Sequence, residues 1–229
     1  MMKTRSKRYN SSAESIDNAK AYELQDAIEG LSKQSKVKFD ESIELSFSLG
    51  VDPKQTSQSV RGTVNLPHGS GKDVKVLVFT ENPDEATSLG ADHAGLDDLI
   101  KKIKDGWVDF DVALSTTSAM KSVRSIARVL GPRGLMPTPK AGTVTDNLEE
   151  AIKDVKAGRV EFKMDKTGAM AVLIGKRSFS TEQLVENANS AIQAVTSSRP
   201  EGFKGRFVKS AHVSSTMNPS LKLNTAIFN

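Results

Sequence analysis

Val74-Lys75-Val76-Leu77-Val78-Phe79-Thr80 is the stretch at which the chain changes its grammar. Its centre, Val76 to Phe79, is apolar without alternation, and a strand apolar on both sides belongs in a sheet covered on both faces. A helix pattern follows over Leu96 to Lys104, then a strand over Val108 to Ser115. A helix over Ser118 to Leu130 carries Met120, Val123, Ile126, Ala127 and Leu130 as its apolar stripe. Strand alternating with helix predicts a small doubly wound α/β domain. A loop rich in Gly and Pro, Gly131 to Gly142, leads to a helix near Leu148 to Val155 that ends at Ala157-Gly158.

Both flanks of this block read differently. On the N-terminal side, Leu24, Ala27, Ile28 and Leu31 recur at helical spacing. Ile43, Leu45, Phe47 and Leu49 then alternate with Ser42, Glu44, Ser46 and Ser48, the mark of a strand with one buried face and one face free for contacts. A strand over Val60 to Leu66 is followed by Pro67-His68-Gly69-Ser70-Gly71, which breaks regular structure. On the C-terminal side, strands are expected over Val160 to Met164 and Ala169 to Ile174, a helix over Thr181 to Thr196, and strands over Arg206 to Thr216 and Leu221 to Ile227. Strand character on both sides of an α/β block predicts that the ends pair. The expected architecture is a discontinuous α+β terminal domain, residues 1–67 and 160–229, with residues 68–159 inserted as an α/β domain through hinges at Pro67, Gly69 and Gly158.

Length and composition agree with two modest domains. The hydrophobic fraction is 37% and the charged fraction 26% over 229 residues, which fits a folded chain and excludes a basic disordered tail. The apolar runs are strand-length, and the first ten residues lack the apolar stretch of a signal peptide, so no membrane span and no secretion are expected. Without cysteine there is no disulfide, thiolate metal site or cysteine nucleophile. Net charge is +4, with ten cations against nine acids in residues 1–67, thirteen against fourteen in 68–159, and nine against five in 160–229. A polyanion site is therefore expected on the terminal domain.

Enzymatic motifs fail one by one. Gly71-Lys72 lacks the other elements of a phosphate loop, since Leu66 stands where its first Gly should and Asp73 where Ser or Thr should. Gly69-Ser70-Gly71 has no third glycine of a dinucleotide fingerprint. His68, His93 and His212 are dispersed and show no metal-ligand spacing. Asp109 and Asp111 straddle Phe110, which suits either a carboxylate pair or solvated strand-end acids. No serine lies in a nucleophile elbow. Neither cofactor nor metal is expected.

Three segments suit RNA instead: Lys36-Val37-Lys38-Phe39, Asp165-Lys166-Thr167-Gly168, and Arg206 through Lys222. Lysines neutralise phosphates, a ring such as Phe39 can lie against sugar or base, and hydroxyls can meet the 2′-hydroxyls that mark RNA. The alternative for Phe39 is a place in the core.

Read together, the ordered motifs resemble a known family. They include Lys38-Phe39-Asp40-Glu41, Val60-Arg61-Gly62-Thr63-Val64, Leu66-Pro67-His68-Gly69, Asp105-Gly106-Trp107 and Leu130-Gly131-Pro132-Arg133-Gly134-Leu135-Met136-Pro137. Pro139-Lys140-Ala141-Gly142-Thr143-Val144, Asp165-Lys166-Thr167-Gly168 and Ser215-Thr216-Met217 continue the series. The chain resembles, nearly end to end, the universal large-subunit ribosomal proteins of the mobile stalk beside the exit site, in their bacterial form. The resemblance implies a terminal α+β domain, an inserted Rossmann-like three-layer α/β domain without a dinucleotide, and two hinge strands. It implies a non-enzymatic, cytoplasmic ribosomal constituent that binds large-subunit ribosomal RNA, assists release of deacylated exit-site tRNA and represses its own operon mRNA. Such a protein is monomeric when free.

The family's RNA contacts fall on Lys38, Phe39, Ser42, Ser210, Thr216 and Met217, with Asp165, Lys166, Thr167 and Gly168 as a further segment. Three departures stand out: Asn218 where the family has Gly, Ala171 where a His is common, and Met164 where a polar residue is common. Asn218 is expected to tolerate positive φ and to obstruct close approach of RNA with its side chain. Arg133 and Lys140 in the inserted block are candidates for contact with RNA or tRNA, against the alternative that the prolines and glycines around them merely fix a tight loop. A free repressor or RNA chaperone is the second reading, and a nucleotide enzyme a distant third.

Overall fold

The computed structural model describes residues 5–17, 19–55 and 58–228. In chain order, α1 (Lys7–Glu14), α2 (Leu24–Lys33), β1 (Ser42–Leu49) and β2 (Arg61–Asn65) precede β3 (Val76–Phe79), α3 (Pro83–Ser88), β4 (His93–Gly95), α4 (Asp97–Lys104) and β5 (Val112–Ser115). Then come α5 (Met120–Val123), α6 (Ala127–Leu130), α7 (Leu148–Lys156), β6 (Arg159–Lys163), β7 (Ala169–Lys176), α8 (Thr181–Ser197), β8 (Val208–Ser215) and β9 (Leu221–Lys222). The chain divides into two compact units, Met1–Gly71 with Val160–Asn229, and Lys72–Arg159. No helix among the described residues is long and apolar enough to cross a membrane.

In the terminal unit a four-stranded antiparallel sheet has the order β7-β1-β8-β9. The N-terminal strand β1 therefore lies between two C-terminal strands, with Ser46 facing Ala171 on one side and His212 on the other. Its odd-numbered residues Ile43, Leu45, Phe47 and Leu49 are buried with α2 and α8 in one core, which leaves the serine-bearing face outward. Helix α8 starts with a capping box, in which the Ser180 hydroxyl accepts from Gln183 N–H and the Gln183 side chain accepts from Ser180 N–H. Its buried Asn187 accepts from His68 N–H and donates to the Gly69 and Ile174 carbonyls, so the irregular 68–69 segment is fastened to the helix. Strands β2 and β6 form a separate two-stranded sheet.

The other unit has a parallel sheet, β4-β3-β5, with helices on both faces. Leu77 and Phe79 pack with α4, α5 and α6, whereas Val76 and Val78 pack with α3 and α7. The unbroken apolar run of β3 is thereby explained, because each face of the strand has its own core.

Three expectations are corrected. The strand placed at Val108 to Ser115 begins only at Val112, since its parallel partner β3 begins at Val76, and Phe110 folds into the core instead. The helix over Ser118 to Leu130 is interrupted by a 3-10 turn at Arg124–Ile126, where tightening to three residues per turn stacks Val123 and Ile126 on the buried side. The last strand stops at Lys222. There Asn224 accepts from Ala226 N–H and turns the chain into a 3-10 helix, Thr225–Phe228, that buries Phe228 edge-on against Phe47.

Just past β1, Gly50 N–H bonds the Phe207 carbonyl, and a Cβ on Gly50 would collide with the backbone carbonyl of Arg206. Gly50→Ala must spread β1 from the segment leading into β8. We expect a loss of roughly 1–3 kcal/mol, read as a lower urea midpoint with helical CD retained.

Candidate nucleic-acid interface

One end of the four-stranded sheet is assembled around a buried carboxylate. Glu41, fully buried, accepts from Arg177 Nη1 at 2.5 Å, from Met217 N–H at 3.1 Å, and from the side chains of Ser215 and Asn218 at 3.2 Å. The Arg177 guanidinium also donates to the carbonyls of Leu31, Ser32, Gln34 and Ser35. A charge so deep needs this many partners, since a buried ion left unpaired costs several kcal/mol by general estimates. The result is a rigid seat for the segments 35–42 and 215–218.

Two side chains rise from that seat. Phe39 is 54% exposed and Met217 50%, and they are the large apolar residues that stand exposed among the described residues. The exposure settles the alternative for Phe39, which is not a core residue. Lys38 beside it is exposed as well. Ser42 Oγ accepts from Lys176 Nζ at 2.9 Å, which leaves its own hydroxyl hydrogen for an outside acceptor. Thr216 has a different part, because its Oγ1 accepts from Ser42 N–H and donates to the Ser42 carbonyl, locking β1 to the end of β8. It positions the contact residues.

Asn218 overturns its expectation. No non-glycine residue has positive φ among those described, and the side chain is buried, donating to Glu41 and the Ser35 carbonyl while its oxygen accepts from Arg8 Nη1 at 2.6 Å. It braces the loop from within instead of obstructing its outer side. Arg8 itself, on α1, also donates to the Met217 carbonyl, and Arg5 lies over the Tyr9 ring, so the basic start of the chain borders the same end of the sheet. Sequence reading counted those cations but had no way to place them. Glu41, Lys176 and Arg177 were missed too, since nothing local marks a pair separated by 136 residues.

The remaining residues lie elsewhere. Ser210 sits outward on β8 opposite Ser48, and the turn at Asp165 to Gly168 adjoins Leu49, whose N–H bonds the Gly168 carbonyl. Both are at the other end of β1, about 20 Å from Ser42 at ~3.4 Å per residue. Asp165 accepts from the hydroxyl and N–H of Thr167 and from Ala169 N–H, and the hydroxyl bond is the main cause holding its carboxyl below the usual range. Gly168 takes φ 79°, leaving Lys166 and Thr167 exposed at the tip. Between the two ends run Ser46, Ser48, Ser214 and His212, whose imidazole burial and nearby Lys222 hold to a lowered pKa. The face is thus a band of hydroxyls with Lys176 and Lys222, one exposed acid, Glu44, and an apolar pair at one end.

In the other unit, Arg133 is exposed together with its neighbours Gly131, Pro132 and Gly134, and the loop packs only further on, with Pro137 and Ala141 buried and Val144 bridged to Ser115. The side chain of Lys140 lies outside the described residues. Asp109 and Asp111 are held by Lys75 and Lys72, not by each other, and the Lys72 hydrogen bond chiefly lowers the pKa of Asp111. Gly69 and Gly158 take φ 70° and 107° where the chain passes between units. No cluster of metal-binding side chains occurs among the described residues.

A model of the ribosomal protein L1p/L10e family matches residues 31–219. The large ribosomal subunit protein uL1 of Kosmotoga olearia is 51% identical over 225 residues, which cover 97% of either chain. The uL1 of Persephonella marina is 50% identical, over 97% of this chain and 95% of its own. That of Protochlamydia amoebophila is 48% identical, over 96% and 94%.

Glu41→Gln keeps the shape of the seat and strips the charge facing a buried guanidinium, so we expect a loss of roughly 3–5 kcal/mol in urea unfolding. Asn218→Gly removes the brace, and the expected loss is roughly 1–3 kcal/mol. A midpoint for Asn218→Gly equal to the parent protein would contradict its bracing role.

Proposed function

The chain belongs to the ribosomal protein L1p/L10e family, and from that premise we propose that it grips a folded site in large-subunit ribosomal RNA with the outward sheet face of its terminal unit. It is a structural constituent of the large ribosomal subunit, works in translation in the cytoplasm, and is not an enzyme. The observation that carries the RNA reading is the exposure of Phe39 and Met217 on the rigid seat around Glu41. Apolar groups held rigidly in water are costly unless a partner covers them, and ring faces stack on bases. Lys38 and the Ser42 hydroxyl beside them supply a phosphate cation and a donor for RNA oxygens.

On this reading Lys166, Thr167 and Ser210 meet a second stretch of the same RNA, Thr216 and Asn218 shape the first contact, and Asp165 and Gly168 shape the turn that presents the second. Ala171 contributes no polar contact and Met164 lies buried. With Pro67 to Gly69 fastened to α8, the hinges of a stalk that moves with deacylated tRNA at the exit site and assists its release fall just beyond, after Gly71, and at Gly158. Arg133 and Lys140 are the candidates for tRNA or RNA contact in the inserted unit. A messenger segment copying the ribosomal fold would occupy the same face, giving repression of the protein's own operon. The free protein acts as a monomer.

Filter binding to the folded large-subunit site tests the assignment. Phe39→Ala should lose roughly 1–3 kcal/mol of affinity by the measure of aromatic stacking platforms. Its unfolding midpoint should stay that of the parent, because the ring is exposed. Replacing residues 72–159 by a short linker should leave the affinity largely intact. Abolished binding with a folded terminal unit would refute the assignment.

A further inference from the structure

The inserted unit holds a surface that the terminal-unit reading does not use. From Val112 to Thr145 the sequence has no Asp or Glu, yet it carries Lys121, Arg124, Arg128, Arg133 and Lys140. Lys121, Arg124 and Arg128 stand at i, i+3 and i+7 on α5, the 3-10 turn and α6, inside an arc of about 100° when the 3-10 turn is taken at three residues per turn. Val123, Ile126 and Leu130 fill the opposite side in the core. All three cations and Arg133 are exposed, and none has a hydrogen-bond or ion-pair partner among the described residues.

Among the described cations of this unit, that lack of pairing is shared only with Lys101, Lys102 and Lys104 of α4. Lys72, Lys75, Lys153, Lys156 and Arg159, in the same unit, each meet an acid. Helix α4, which packs beside α5, offers Lys101, Lys102 and Lys104 against Asp97, Asp98 and Asp105, and so is balanced. The acids Glu81, Glu85, Asp146 and Glu149 gather instead around a polar cavity beside α3 and α7. Charge in this unit is therefore segregated, although its total is nearly neutral. Between the helical cations stands the exposed, uncharged Ser125, whereas Thr117, ahead of them, donates to Asp146 and Ser118 borders the acidic cavity. Phosphate oxygens only accept, and exposed cations to which no carboxylate is paired fit them.

We infer that the face formed by Lys121, Arg124, Arg128 and Arg133 is a second, sequence-independent binding surface for the phosphate backbone of RNA. It makes no use of Phe39 or Met217 and reads no bases. The three helical cations span about 10 Å at 1.5 Å per residue, enough to follow a backbone across several phosphates with Arg133 beyond them. The acidic cavity, which Ser118 borders just ahead of α5, would repel the same backbone, so RNA can follow the cations only along the side away from it.

The test uses the full chain and a mixed-sequence RNA duplex without the large-subunit fold. In K121Q/R124Q/R128Q the slope of log affinity against log salt should become shallower by about 2 to 2.7, since each lost phosphate contact removes ~0.7–0.9. K153Q/K156Q, which strips two paired lysines from the other side of the unit, should leave the slope where it was. The helical variant should melt at the parent temperature, its side chains being exposed. F39A should weaken binding to the folded large-subunit site and not alter the duplex slope, so the two readings fail separately. Equal slopes for the helical variant and the parent would overturn the inference, as would an equal fall in both lysine and arginine variants. Displacement of the duplex by polyglutamate at matched charge concentration would overturn it in favour of an acidic protein partner.

Discussion

Glu41 and Arg177 are 136 residues apart and meet with the carboxylate fully buried. Neither could be left there alone, so each draws in partners: four carbonyls in and just after the last turn of α2 for the guanidinium, and the Met217 N–H with the Ser215 and Asn218 side chains for the carboxylate. A buried pair of this kind adds little net stability compared with apolar packing, but it is intolerant of any other arrangement. Its contribution is geometric. It fixes the approach of the N-terminal segment to the end of β8, and hence the register of β1 between its two partners. The exposed ring of Phe39 and the Met217 side chain owe their positions to that constraint, since both lie within two residues of groups that Glu41 binds or belongs to.

Where periodicity carries the information, the sequence is readable. The alternation at Ile43 to Leu49 gives a half-buried strand, and the unbroken run at Val76 to Phe79 gives a strand with a core on each side, because burial leaves a direct trace in the pattern of side chains. The trace fades where a short segment is governed by a distant one. Leu221 to Ile227 looks like a strand, yet Asn224 turns it and Phe228 is drawn under Phe47. The stripe from Met120 to Leu130 is helical in its spacing and still admits a 3-10 turn, since three-residue and four-residue spacings both keep Val123, Ile126 and Leu130 inside. Pairing across the chain has no local trace at all, which is why Arg8, Glu41, Lys176 and Arg177 were invisible as parts of the interface.

Asn218 shows the same limit from the other direction. Considered alone it is a residue with a side chain in place of a glycine, and obstruction is the natural inference. In place, its amide reaches inward to Glu41 and Ser35 and its oxygen holds Arg8. Polar residues near a binding surface can serve the surface from beneath, and only the partners reveal which side they serve. Thr216 has a comparable part, with its hydroxyl spent on the backbone of Ser42.

The position of β1 also bears on how the protein is made. Residues 42–49 leave the synthesising ribosome early, while the strands that flank them, β7 and β8, follow more than a hundred residues later. Until then an alternating, half-apolar strand waits with both edges open, a state that invites association with other chains. The parallel sheet of residues 72–159 needs nothing from either terminus and can complete itself in the interval. The surface that rises around Phe39 is complete only once Ser215 to Asn218, among the last residues synthesised, close over Glu41.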